Sequence, residues 1–576
     1  IQKLSSLIRK NQKFPAYDQQ VVFIFDECHR SQFGDMHMAI IKKFKSYYLF
    51  GFTGTPIFGI NAMAASNASA KNDPADKTPQ LITTTTQVFG DRLHTYTIVD
   101  AISDGNVLPF HVAYVRTIRQ KKEIADGDKK VWDIEKQGAL ESPERISNVT
   151  QYILDSFRQK CKVNKFYSFS RISNINEVAK AQSGSSSAAG IKENRVAARL
   201  SGFNSIFAVS SISMAKRYYS EFKKQQENRP EAQWLKVALI YSYGVNGDDN
   251  DDISGLPDDE NSDDTRLLSA ADRDFLDAAI ADYNGIFHTS YDTSSAKFQN
   301  YYKDVSLRMK NREIDILIVV NMFLTGFDAT TLNTLWVDKD LRMHGLIQAY
   351  SRTNRILNSI KTYGNIICFR NLEKATNDAI ALFGDKDAKG IVLMRTYDEY
   401  YNGYTDSRGE RHRGYAALVD ELLKIYPIGE RILSEKAQKK FIWLWGAILK
   451  LRNILSAFDR FQQDSLLTER DVQDYCSIYN TLHEKWRSEE HEKEDINDDV
   501  EFEMELISNI EVNIDYILNL VSKYHDAHTS DRQVEIKNDI ERAIGASPKM
   551  RSKKDLIEDF IASLTPQSNV GLDWNA

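Results

Sequence analysis

Seven short apolar runs, each closed by a polar or glycine-bearing turn, restrict the fold of this chain more than any other feature. They are "VVFIF" (Val21 to Phe25), "YYLFGF" (Tyr47 to Phe52), "FNSIFAVSS" (Phe203 to Ser211), "KVALIY" (Lys236 to Tyr241), "DILIVV" (Asp315 to Val320), "TLWVD" (Thr334 to Asp338) and "NIICF" (Asn365 to Phe369). A strand with one face in water alternates apolar and polar residues, whereas a strand covered on both faces reads as an unbroken apolar run. Helical patterns such as "SMAKRYYSEFKKQ" (Ser213 to Gln225) and "GLIQAYSRTNRIL" (Gly345 to Leu357) separate most of the runs. Strands alternating with helices imply parallel sheets with right-handed crossovers, so the chain is expected to be α/β.

With 576 residues there is material for about three or four domains. Asn61 to Pro79 is rich in Ala, Ser and Asn and reads as a surface loop. Gly247 to Asp264 is too acidic and too poor in apolar residues to pack, and Ser183 to Gly190, "SGSSSAAG", has a flexible composition. Beyond about Lys374 the strand pattern stops. Phe441, Trp445, Ile448, Leu451, Leu455 and Phe458 recur at helical spacing, as do Ile507, Ile510, Ile514, Ile517 and Val521. The expected units are therefore 1–100, 101–374, an all-helical 375–546 and a polar tail, 547–576.

The most apolar stretch, "FIWLWGAIL" at Phe441 to Leu449, is half the length a membrane span needs, so no membrane contact is expected. Cys28, Cys161, Cys368 and Cys476 lie far apart without a CxxC pair, which fits neither a zinc site nor a disulfide framework and suits a reducing cytoplasm. The formal net charge of −7 is uninformative about nucleic acid, because a basic groove in one domain disappears in the average. The chain opens "IQKLSSLIRK" with no initiator Met, as though it were cut from a longer protein.

Four motifs can carry chemistry. Asp26 and Glu27 in "DECH" stand at the carboxyl end of the first run, where open α/β sheets bind ligands. One acid there can hold Mg²⁺ while its neighbour activates water, the division of labour that phosphoryl transfer requires. "GFTGTP" (Gly51 to Pro56) ends the next run, and Thr53 and Thr55 can relay hydrogen bonds to a second lobe. In "FLTGFDA" (Phe323 to Ala329), Gly326 permits close backbone approach and Asp328 can accept from a ribose or an arginine. "QAYSRTNR" (Gln348 to Arg355) is expected to carry Arg352 and Arg355 on one helical face, within reach of a γ-phosphate. Each motif taken alone is equally well a strand end, a tight turn or a basic helix face; the four in this order are not.

In that order the motifs resemble those of the superfamily 2 helicase and translocase ATPases. "DECH" is similar to their Walker B motif, "TGTP" to motif III, "TGFDA" to motif V and "QAYSRTNR" to motif VI. The resemblance implies two RecA-like motor lobes, the first incomplete, followed by a helical domain. It also implies that Asp26 holds Mg²⁺, Glu27 is the catalytic base, His29 couples nucleotide to the second lobe, and Arg352 and Arg355 are arginine fingers. Gln348, Gly326 and Asp328 join the nucleotide site. Ala349, Ser351 and Asn354 depart from the motif VI pattern, which secures nucleotide-dependent motion better than helicase chemistry.

The longer strings "FDECHRSQFG", "YTIVDAISDGNVLPF" and "LIQAYSRTNRI" resemble the R subunit of type I restriction enzymes. That family implies ATP and Mg²⁺ as cofactors, double-stranded DNA as substrate, and methyltransferase (M) and specificity (S) subunits as partners. Ser210, Ser211, Ser213 and Lys216 in the second lobe, and Thr83 and Thr84 in the first, are candidates for phosphate contacts that carry no sequence information. A P-loop requires GxxxxGK[ST], and the chain contains no Gly-Lys dipeptide, so it is expected to be the C-terminal part of a larger subunit, inactive alone. "VEIK" (Val534 to Lys537) looks like half of a nuclease site but sits in a charge-rich helical pattern and is set aside. Another superfamily 2 motor and a silent DNA-binding scaffold are the rival readings.

Overall fold

A computed structural model describes residues 13–28, 40–56, 85–117, 138–180, 192–242, 268–383, 392–405, 411–428, 432–456, 458–461 and 466–489, with a few isolated residues besides. The loops expected at 61–79, 183–190 and 247–264, and the helical face from Ile507 to Ile517, lie outside the described residues.

Strands β1 (Gln20–Phe25) and β2 (Ser46–Gly51) pair in parallel, Val21 beside Tyr47 and Phe25 beside Gly51. Phe23 packs with Tyr17, Phe44 and Tyr47 on one side of this pair, while Val22, Ile24, Tyr48 and Phe50 are exposed on the other. A second sheet starts with β3 (Phe110–Tyr114). Helix α1 (Pro143–Lys160) then leads to β4 (Phe166–Ile172) and β5 (Arg195–Ser201), which form a separate antiparallel pair. Next come β6 (Asn204–Val209), α2 (Ile212–Glu227), β7 (Val237–Ile240), α3 (Ala270–Phe287), α4 (Ser295–Lys310), β8 (Ile316–Val319), β9 (Leu332–Asp338), α5 (Met343–Tyr350), β10 (Gly364–Cys368) and α6 (Glu373–Phe383).

The order across this sheet is β3-β10-β9-β6-β8-β7, and every pairing is parallel. Strands β6, β8, β9 and β10 are buried along their whole length, as continuous apolar runs require. The α/β class and the five runs from Phe203 to Phe369 are thus realised as strands. β3 escapes the pattern because His111 interrupts its apolar run. The β4–β5 ribbon escapes it because it is half in water and alternates instead. Helix α6 and Val392 pack into the core of the sheet, so the sheet's unit continues past Lys374.

Beyond Val392 a second core forms. Leu418, Val419 and Leu422 of α7 (Tyr415–Ile425) meet Phe441, Trp445 and Ile448 of α8 (Glu435–Leu455) and Val472, Tyr475 and Tyr479 of α9 (Glu469–Glu489). Among the described residues this unit is helical except for a hairpin of β11 (Gly403–Thr405) with β12 (Arg411–Arg413). The hairpin depends on two glycines. Gly403 has φ +98°, and a Cβ on Gly414 would lie 2.2 Å from the Gly403 nitrogen. Three-residue strands are too short to leave a sequence pattern.

Helices α1 and α2, which pack on each other, are both fastened at the carboxyl end of β9. Asp338, wholly buried, accepts from Arg145 of α1 at 2.9 and 2.6 Å, from Arg370 Nε at 2.8 Å and from the Tyr218 hydroxyl of α2 at 2.7 Å. Arg145 also donates to the carbonyls of Leu140 and Phe369 and to Thr117. Burial pushes the Asp338 carboxyl up, but Arg145 and Arg370 outweigh it and hold it below the usual carboxylate range. Replacing one partner of a buried ionic cluster leaves the others charged without compensation. Asp338→Asn is therefore expected to destabilise this unit by about 3–5 kcal/mol, read from the midpoint of urea unfolding.

Candidate functional site

The turn after β1 places the two acids differently. Asp26 is exposed, and its Oδ1 accepts the backbone N–H of Glu27 at 3.0 Å. Glu27 is half-buried with φ +47°, in the left-handed region that a non-glycine residue adopts only when its surroundings dictate it. Those surroundings are the end of β2. The Phe52 N–H donates to the Phe25 carbonyl at 2.8 Å and the Cys28 N–H to the Phe52 carbonyl at 3.0 Å, so the acid turn and "GFTGTP" hold each other. Gly51 is indispensable to this approach, since a Cβ there would meet Cys28 Sγ and the Phe89 ring at 2.8 Å. Cys28 is buried, and burial pushes its thiol up to about 11, which excludes it as a nucleophile at neutral pH.

The Thr-Gly-Thr-Pro turn is where the second sheet's unit touches the first. Thr55 N–H donates to Thr53 Oγ1 at 3.0 Å, and Gln348 of α5 donates from Nε2 to Thr55 Oγ1 at 3.2 Å. One turn earlier on α5, His344 Nε2 lies 3.3 Å from the Pro56 carbonyl. Burial lowers the His344 pKa from its ordinary value, with the Pro56 and Thr55 backbone opposing it. Spacing from Gln348 could have picked out His344, because four residues on a helix share a face.

Arg352 and Arg355 do not share a helical face. The helix stops at Tyr350, after which the backbone tightens to i→i+3 bonds, Arg352 N–H donating to Ala349 O at 3.2 Å and Thr353 N–H to Tyr350 O at 3.0 Å, with side chains adding to the same turn. Ser351 Oγ takes Ile347 O at 2.7 Å, Arg352 Nε takes Gln348 O at 3.0 Å, and Thr353 Oγ1 takes Tyr350 O at 2.8 Å. Arg352 is buried and also donates from Nη1 to the Phe327 carbonyl at 2.7 Å, while Arg355 Nε lies 3.3 Å from Asp328 Oδ1. The two arginines therefore clasp the "TGFDA" loop, in which Gly326 has φ +67° and both it and Asp328 are exposed.

The expected phosphate contacts divide. Ser211 caps α2, accepting the Met214 N–H at 3.2 Å, and Lys216 pairs with Asp272 at 2.5 Å, so both have structural employment. Ser210 is half-buried at the carboxyl end of β6 and Ser213 is exposed. His29, Thr83 and Thr84 lie outside the described residues, as do Val534 and Glu535 of "VEIK". Among the described residues no three His, Cys, Asp or Glu side chains gather at one point. A single hard carboxylate such as Asp26 still suits Mg²⁺, which keeps several waters and takes one or two acids.

Comparison with known proteins matches residues 1–144 to a family described as SWI2/SNF2 ATPase, 201–371 to type I restriction enzyme subunit R domain 3, and 392–575 to the type I restriction and modification enzyme subunit R C terminal. The endonuclease subunit of the type I restriction enzyme SauCOLORF180P of Staphylococcus aureus (strain COL) is 34% identical over 99% of this chain and 54% of its own. The corresponding SsaAORF53P subunit of Staphylococcus saprophyticus is 34% identical over 98% of this chain and 54% of its own. An N-terminal part of the MpnIIP endonuclease subunit of Mycoplasma pneumoniae is 30% identical over 42% of this chain and 67% of that part. The chain thus spans about half the length of the first two relatives. A solved structure of the ATP-dependent Type ISP restriction-modification enzyme LlaBIII bound to DNA covers 96% of this chain and 32% of its own at 13% identity, with a TM-score of 0.28, too slight a likeness to argue from.

The Gln348–Thr55 hydrogen bond ties one sheet's turn to the other sheet's helix. In a double-mutant cycle, Thr55→Val and Gln348→Leu are expected to show a coupling of about 1 kcal/mol in the stability of the full-length protein. Strict additivity of the two would mean that the contact carries no energy.

Proposed function

Because the chain belongs to the R, or endonuclease, subunits of type I restriction enzymes, we propose that it forms part of an ATP-driven motor that translocates double-stranded DNA past methyltransferase and specificity subunits. The observation that carries this reading is the contact series from the acid turn through Thr55 and Gln348 to Arg352, Arg355 and the Phe327–Asp328 loop. It links an acid turn to a pair of guanidinium groups through one hydrogen-bonded hinge, which is the layout a nucleotide-gated motor needs.

In this reading Asp26 holds Mg²⁺, which when bound neutralises charge on the phosphates. Glu27, kept half-buried by its left-handed turn, orients and deprotonates the attacking water. Thr53, Thr55 and His29 pass the state of that turn to α5. Gln348, Gly326 and Asp328 border the nucleotide, and Arg352 and Arg355 exchange their present acceptors for phosphate oxygens. Ser210, Ser213, Thr83 and Thr84 face the DNA backbone. The units proposed are a first lobe at 1–100, a second from 101 to about 393, and a helical domain beyond.

In the full-length subunit assembled on DNA, Glu27→Gln is expected to lower ATP turnover by at least about a thousandfold while leaving ATP binding intact, read from steady-state hydrolysis and nucleotide-binding titration. Displacement of a third strand from duplex DNA, without separation of the duplex itself, distinguishes translocation from unwinding. The exposed apolar face of β1–β2 and the lack of a Gly-Lys dipeptide support a second expectation. These 576 residues alone should show no DNA-stimulated ATP hydrolysis, and robust turnover by them would overturn the proposed division of the site.

A further inference from the structure

Lys162, just after α1, is buried, and the groups that hold its ammonium are neutral. Its Nζ donates to the Ile360 carbonyl at 2.9 Å and to Asn453 Oδ1 at 3.3 Å, and lies 4.8 Å from the centre of the Tyr363 ring. Asn453, on the buried face of α8, also turns its Nδ2 toward the Ile360 carbonyl at 3.4 Å. One carbonyl of the sheet's unit is thus shared between a lysine of that unit and an asparagine of the helical unit. Beside it, Phe458 sets its ring edge-on to His111 at 4.8 Å, and His111 Nδ1 lies 2.9 Å from Asn365 Oδ1.

Ile360 is not an arbitrary place to hold. The segment from Arg352 to Lys361 is gripped at its start by the "TGFDA" loop, through Arg352 with Phe327 and Arg355 with Asp328. At its end Lys361, also buried, donates to the carbonyls of Thr330 and Leu332 at 2.8 and 2.7 Å, the far end of the same loop. The Ile360 peptide adjoins Lys361, so the contact to the helical unit meets the arginine-bearing segment at the end that Lys361 closes. Burying a lysine against neutral acceptors is expensive where a leucine would fill the space, and burial pushes Lys162 down to about 7. Such a contact fixes the register of two surfaces that apolar packing would let slide.

We infer that Lys162 and Asn453 are positioning residues through which the helical domain sets the placement of Arg352 and Arg355 for ATP hydrolysis. The inference rests on the motor reading above. The test uses the full-length subunit in its assembled complex on duplex DNA, comparing wild type, Asn453→Leu, Asn453→Asp, Lys162→Met and the double variant that combines N453L with K162M. N453L, similar in volume but without an acceptor, is expected to lower kcat for ATP about tenfold at unchanged KM. N453D keeps an acceptor facing the ammonium and is expected to return kcat to within about twofold of wild type. K162M should match N453L, and the combined variant should be no slower than either.

Unchanged kcat in N453L, equal losses in N453L and N453D, or a rise in KM alone would overturn the inference. Should K162M fail to fold, the two Asn453 variants decide alone. A wild-type complex that hydrolyses no ATP on DNA would instead overturn the motor reading, and this inference with it.

Discussion

The carboxylate of Asp338 is the point on which the larger sheet turns. Four donors from α1, α2 and the segment after β10 converge on its two oxygens in a fully buried place. An isolated carboxylate could not stay ionised there, and neither Arg145 nor Arg370 could stay buried without it. The arrangement is self-consistent only when α1, α2, β9 and β10 all stand in register, so it selects one packing of the helices on the sheet. The apolar runs supply the driving force for burial, but they would accept many packings; the charges accept one.

Much of this architecture is legible in the sequence because it is local. A strand covered on both faces advertises itself residue by residue, and so the runs at Phe203, Lys236, Asp315, Thr334 and Asn365 mark strands within a residue or two. In β4 burial alternates, Phe166, Ser168 and Ser170 outward against Tyr167, Phe169 and Arg171, but Phe166 and Arg171 blur the matching alternation in residue type, so the strand carries no plain pattern. Nothing local announces Asp338, whose partners Arg145 and Tyr218 are 193 and 120 residues away. Its aspartate reads as a strand end.

The candidate site divides along the same line. That "DECH" and "TGTP" close successive strands of a parallel sheet follows from their runs, whereas the direct pairing of those strands is seen only in the fold. That Gln348 reaches Thr55 across 293 residues does not follow from any run. Helical spacing also misleads for Arg352 and Arg355, because the helix ends at Tyr350 in i→i+3 turns that the Ser351, Arg352 and Thr353 side chains reinforce by donating to the carbonyls before them. Ser351, one of the residues that depart from the motif VI pattern, is the residue at which the helix is capped.

Those same bonds give the arginines a resting occupation. Arg352 already has two carbonyls and Arg355 already has Asp328, so neither side chain waits free in the cleft. Any ligand that recruits them must offer acceptors good enough to replace those in hand, and a neutral or singly charged molecule gains little by the exchange. A densely charged polyphosphate gains a great deal. In the proposed motor, the two carbonyls that Arg352 must give up would act as a form of selectivity, while the exposed Arg355–Asp328 pair would add little to it.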